Sequence, residues 1–228
     1  MTLKTPILLA ALLGAAAAAG PDAHACGYFN YREVRPAAQA RPKPVPVAAN
    51  DRVAAADQRL EEERLAEAGT EVVTAFPTIR RTAVGASPLA TRALRILSLA
   101  VVRGEGTLRG VPGFAGAREA ERNANLDWAV GTLRSIDAAR PNDPVTQADL
   151  AEALAARTRH EDESLAILAD LASRDLVGSA HAYAALARLR ASKGETRASR
   201  DALVRCELMT RSPAVVCRAP DGRVALGG

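Results

Sequence analysis

Apolar residues recur with helical spacing along most of this chain. From Ser87 onward, Leu89, Ala93, Ile96, Leu97, Ala100 and Val101 form one stripe of an amphipathic helix. Ser87-Pro88 supplies its start, a hydroxyl cap followed by proline in the first turn. Upstream, Asn50 or Asp51 is placed to cap a helix running to about Ala68, with Val53, Leu60 and Leu65 as its larger apolar residues. The stretch "EEER" at 61–64 reads as a solvated face, and Val72, Val73 and Phe76 continue the apolar pattern to Pro77. Asp143-Pro144 marks another helix start. The expectation is an all-α fold.

Composition agrees. Aromatic residues make up 3% of the 228 residues, so alanine and leucine must supply most of the packing. Small side chains let helices approach closely, whereas sheet proteins draw on β-branched and aromatic residues. The formal net charge is +4. The bases are almost all arginine, scattered among similar numbers of acids, and no basic block with interleaved aromatics points to nucleic acid.

Both ends differ from the middle. Lys4 precedes an apolar run from Ile7 to Ala19, broken by Gly20-Pro21 and closed by Ala23-His24-Ala25. That pattern predicts a signal peptide over residues 1–25, cleaved after Ala25, and an exported, periplasmic or extracellular protein. Cleavage there leaves Cys26 first, and an acylated Cys26 on a lipid-anchored envelope protein is the alternative. Prolines 36, 42, 44 and 46 make residues 26–50 a stiff or disordered linker. The helical domain is expected over 51–212 and a flexible tail over 213–228. Export permits disulfides. Cys206 and Cys217 form a candidate pair because Pro213 turns the chain between them; Cys206 also suits a small buried apolar position.

Three stretches line up 35 residues apart: "NLDWAVGTLRSID" from Asn125, "HEDESLAILADLA" from His160 and "ETRASRDALVRCE" from Glu195. Small residues coincide at Ala129, Ser164 and Ser199, leucines at Leu133, Leu168 and Leu203, and apolar residues at Ile136, Leu171 and Cys206. Steps of four and three residues put these columns on one helix face. A period near 35 residues signals an array of helix hairpins. The pattern resembles the tetratricopeptide repeat family over roughly residues 110–212. Tyr183, Leu186 and Ala187 match that repeat's first-helix columns, Gly194 its inter-helix turn and Pro141 its closing proline. In the middle unit those columns hold Ala148, Ala151 and Glu152, the last where the family places a small buried residue; in the first they hold Gly113 and Gly116. The resemblance implies stacked antiparallel hairpins forming a short α-solenoid. It also implies a groove that binds a protein or peptide, lined by His181, Ala184, Arg188, Ala191 and Ser192, with Asp149 and Arg157 from the middle unit.

Signs of chemistry are sparse. The glycine-rich "RGEGTLRGVPGFAG" at 103–116 follows a helix and lacks the lysine of a phosphate loop, so it reads as a long surface loop. His160 and the acids after it fall at a helix start, where acids favour the positive end of the helix dipole. Asp127 beside Trp128 reads as an exposed acid on a packed ring. No nucleophile with a base and an orienting group is legible, and neither is a metal or cofactor motif. The function expected is a non-catalytic binding scaffold of the bacterial envelope or periplasm, with an enzyme of unrecognised type the more remote reading.

Overall fold

The computed structural model describes residues 48–217. The expectations about the signal peptide, Ala25, Cys26, the proline-rich linker as far as residue 47, and the tail after Cys217 fall outside the described residues. Within them the chain is all-helical and contains no strand. Eight α-helices are followed by a single helical turn: α1 (Ala49–Glu61), α2 (Leu65–Ala75), α3 (Pro88–Arg103), α4 (Glu119–Ala138), α5 (Pro144–Ala155), α6 (Glu161–Ser173), α7 (Ala180–Ser192), α8 (Thr196–Met209) and α9 (Pro213–Val216). No helix among the described residues is long and apolar enough to cross a membrane.

Helix starts follow local chemistry. The Ser87 hydroxyl accepts from Ala90 N at 3.1 Å, and the Asp143 carboxylate accepts from Val145 N at 3.0 Å. Each is followed by a proline at the first helical position, where its missing N–H costs nothing. α1 departs from expectation: Ala48 precedes it without a side-chain cap, and Asn50 and Asp51 lie inside the helix.

The expected single helix to Ala68 is instead two. The chain turns at Glu62–Arg64, with Glu63 in the left-handed region (φ 60°). Folding back lets Val53, Ala56 and Leu60 of α1 and Ala68 and Val72 of α2 all become buried. Burial of this kind contributes about 25 cal/mol per Å² of apolar surface, which outweighs the cost of one left-handed residue, about 1–2 kcal/mol.

Packing proceeds in order. α1 lies on α2, α3 on α4, α5 on α6 and α7 on α8; each pair contacts the next through α2–α3, α4–α5 and α6–α7. The first helices also touch in series, α1 to α3, α3 to α5 and α5 to α7. One cluster of buried side chains runs from α1 to α5, and a second from α5 to α9. α5 belongs to both, because Leu150, Ala153 and Leu154 face the first and Ala148, Ala151 and Ala155 the second. Its alanines allow neighbours close on both sides.

The columns 35 residues apart lie on α4, α6 and α8, and all nine residues are buried. Ser164 Oγ donates to Ala151 O at 2.7 Å, and Ser199 Oγ donates to Ala187 O at 2.8 Å, tying each second helix to the helix before it. Ala129 occupies the same column without a hydroxyl. The helix pairing with α4 is α3, not the stretch containing Gly113 and Gly116; residues 104–118 form an insertion between them.

That insertion is not a simple surface loop. Leu108, Val111 and Phe114 are buried. A side chain at Gly69 of α2 would stand 2.9 Å from Leu108 Cδ1, so the glycine makes room for the loop. Phe114 packs on Trp128 with ring centroids 5.1 Å apart, and the Arg80 guanidinium lies 4.7 Å from the Phe114 centroid. Arg80 also donates to the Gly113 carbonyl. The start of the expected flexible tail is ordered as well. Residues 213–216 form a helical turn, and Val216 and Cys217 are buried. A disulfide joins Cys206 to Cys217, with Cα atoms 5.9 Å apart.

Candidate functional site

The first helices of successive pairs carry a ladder of ionic side chains. Arg95 and Arg103 lie two turns apart on α3, and Asp149 and Glu152 lie one turn apart on α5. Arg95 pairs with Asp149 through Nε to Oδ2 and through Nη2 to Oδ1 at 3.1 Å. Arg103 meets Glu152 in a two-point bond, Nε to Oε1 at 2.8 Å and Nη2 to Oε2 at 3.2 Å. The Arg103 and Glu152 side chains are only 11% and 5% exposed.

Burial alone would raise the Glu152 carboxyl; the charge and hydrogen bonds of Arg103 more than offset it, so the carboxyl sits below the ordinary glutamate range. Burial would likewise lower Arg103, and Glu152 holds it above its usual value. Asp149 behaves differently. Burial raises it, and the attraction of Arg95 does not fully offset that, with the nearby Glu152 charge acting in the same upward direction. Arg95 itself is raised: the loss of water lowers it, but its hydrogen bonds to Asp149 outweigh that. The two partners differ because the carboxylate is the more deeply buried, at 4% exposure against 32%.

Two clefts flank this ladder. One of about 500 Å³ is lined by Val102, Leu126, Ala184, Ala185 and Val216 together with Arg103, Glu152, His181 and Arg188. The other, of about 850 Å³, is more polar and runs between the end of α1, α3 and the start of α7, with Met209 and Arg211 along its far side. Arg103 and His181 border both. Arg188 is exposed and donates to Ala155 O at 2.6 Å, but forms no ion pair among the described residues.

The residues expected in a groove divide. His181, Ala184 and Arg188 line the smaller cleft. Ala191 and Ser192, a turn farther along α7, border neither, and the Ser192 hydroxyl donates to Leu189 O at 2.7 Å. Asp149 borders the larger cleft, but it is buried and its carboxylate is occupied by Arg95. Arg157 points elsewhere: it bonds Asn123 and lies 3.1 Å from Asp127 Oδ1, fastening the end of α5 to α4. Arg95 and Arg103 carried no sign in the sequence, and Glu63, expected on the solvated face of 61–64, is instead 19% exposed and bonded to His181. The one legible sign was Glu152, an acid in a column of small residues. Its partner lies 49 positions away, on a helix that no local pattern joins to it.

The other polar clusters expected from the sequence take structural places among the described residues. His160 precedes α6, and Glu161, Asp162 and Glu163 fill its first turn. His160 Nδ1 lies 3.3 Å from Glu163 Oε2. No group of three or more His, Cys, Asp or Glu among the described residues is arranged to hold a metal ion. Asp127 is half exposed and shared between Arg157 and Arg159. No known family model matches this chain, and no curated protein or solved structure matches it.

Proposed function

We propose that this chain is a non-catalytic scaffold that holds a protein or peptide segment in the clefts beside α3, α5 and α7. In this reading its hairpins form a short α-solenoid of the tetratricopeptide repeat type, with the first helix of each pair turned toward the ligand. The leader-like pattern over residues 1–25 supports an exported, periplasmic or cell-surface environment.

The observation that supports this best is the smaller cleft. Its wall combines apolar side chains with Arg188, a guanidinium without a carboxylate partner among the described residues. A segment with an apolar side chain beside an acidic group fits such a wall: the apolar part leaves water, and Arg188 offers paired donors to the carboxylate. Arg103 is committed to Glu152 and contributes shape rather than a free charge.

Photo-crosslinking in the native envelope tests the reading. A photoreactive side chain in place of Ala184 or Met209 faces the clefts; in place of Thr70 or Arg197 it lies on exposed helix surface. The expected result is a discrete adduct from the cleft positions that the surface positions do not give, lost on Arg188→Glu. Equal adducts from both sets of positions, or adducts indifferent to Arg188→Glu, would refute it.

A further inference from the structure

Among the described residues one side-chain hydrogen bond joins the first helix pair to the fourth. His181 Nε2, at the start of α7, lies 2.7 Å from Glu63 Oε1, in the turn between α1 and α2. The residues are 118 positions apart, and each side chain is 19% exposed. Extended helix packing does not join these hairpins: α1 packs on α2 and α3, whereas α7 packs on α5, α6, α8 and α9. In such an array each pair packs only on its neighbours, so the separation of its ends rests on the small rotations between successive pairs. The Glu63–His181 bond adds a direct tie between the ends.

Its position gives it a consequence for the clefts. Glu63 borders the larger cleft, and His181 borders both. Arg103 stands beside it, sharing both walls and paired to Glu152. The two clefts share Arg103 and His181 in their walls, and the Glu63–His181 contact lies at that shared boundary. One hydrogen bond to a charged group shifts an equilibrium on the order of tenfold, enough to favour one arrangement and little enough for a ligand to displace.

We infer that Glu63 and His181 form a conformational latch that fastens the first hairpin to the fourth and divides the groove in two. Released, the turn between α1 and α2 moves off the start of α7 while α1 and α2 keep their packing on α3, and the clefts join into one channel. The inference builds on the groove reading above, but its test needs no ligand, so a missing crosslink and a missing latch are separate results.

The test uses the full chain with Cys26→Ser and spin labels at Thr70→Cys and Arg197→Cys, exposed sites on α2 and α8. With Glu63 and His181 intact, the distance distribution between the labels is expected to be narrow. In Glu63→Ala and in His181→Ala it becomes broader and longer, and the double replacement adds nothing beyond either single one. Distributions unchanged in both single variants overturn the latch. Hydrogen exchange gives an independent reading in Glu63→Gln, which keeps the side chain's size. Amides at 180–184 and 61–65 should exchange faster, on the order of tenfold, while those in the middle of α3 and α5 keep their native rates. A uniform acceleration along the whole chain marks a general loss of stability and also overturns the proposal.

Discussion

Glu152→Gln removes one negative charge from the interior and leaves the guanidinium of Arg103 facing an amide. Arg103 is 11% exposed, so water cannot replace the lost partner. Breaking a buried pair from one side costs about 3–5 kcal/mol. Gln keeps the shape and one acceptor, so a value near the lower end, about 3 kcal/mol, is expected; for a domain of this size that lowers Tm by roughly 10 °C. Replacing both partners, Arg103→Met with Glu152→Leu, leaves no orphaned charge and should fall within about 1 kcal/mol of the native chain or exceed its stability. Urea unfolding with a common slope measures all three. The pH dependence gives an internal check. The Glu152 carboxyl is held below its ordinary range, so its contribution is full above the unfolded value and disappears as pH falls through the folded one. The gap between native and Glu152→Gln should close in acid. Asp149, raised by burial, has the opposite sign: its contribution is full below the unfolded value and fades as pH rises through the folded one. Asp149→Asn should therefore alter the profile at higher pH than Glu152→Gln. If Glu152→Gln costs less than about 1 kcal/mol, or the double replacement costs as much as the single, the account of a buried, mutually dependent pair is wrong.

Three further outcomes follow from packing. Gly106 has φ +82° and a Cβ there would stand 2.5 Å from the Arg122 carbonyl oxygen, whereas Gly110, at φ +77°, has open space around it. Gly106→Ala should cost at least about 2 kcal/mol and Gly110→Ala about 1, compared by thermal unfolding. The Cys206–Cys217 bond closes a loop of sequence separation 11, so Cys206→Ser with Cys217→Ser should cost about 3 kcal/mol and raise exchange at Val215 and Val216 first. Ser199→Ala removes a buried donor to Ala187 O and should cost about 1 kcal/mol in urea unfolding, while Ser192→Ala, on the exposed end of α7, should change almost nothing.

Much of the helical frame was legible in the sequence because it depends on short-range chemistry. Ser87-Pro88 and Asp143-Pro144 start helices with the atoms they carry. The columns through Leu133, Leu168 and Leu203 are buried because a stripe at steps of three and four cannot face water on more than one side of a helix. Cys206 and Cys217 were one of two open readings, and the structure joins them. The tertiary structure decided what lies between those helices. The turn at Glu63 carries no glycine or proline, and it forms because the apolar faces of α1 and α2 gain more by burying each other than a single long helix gains by continuing. Leu108, Val111 and Phe114 look like loop residues until α2 and α4 supply a surface to receive them. Which arginine meets which acid depends on α3 lying against α5, and Glu63 reaches His181 only because the packing of successive helices brings distant segments together. Sequence spacing sets which residues share a face; which faces meet depends on the burial of the whole chain, and that sum cannot be read from any one segment.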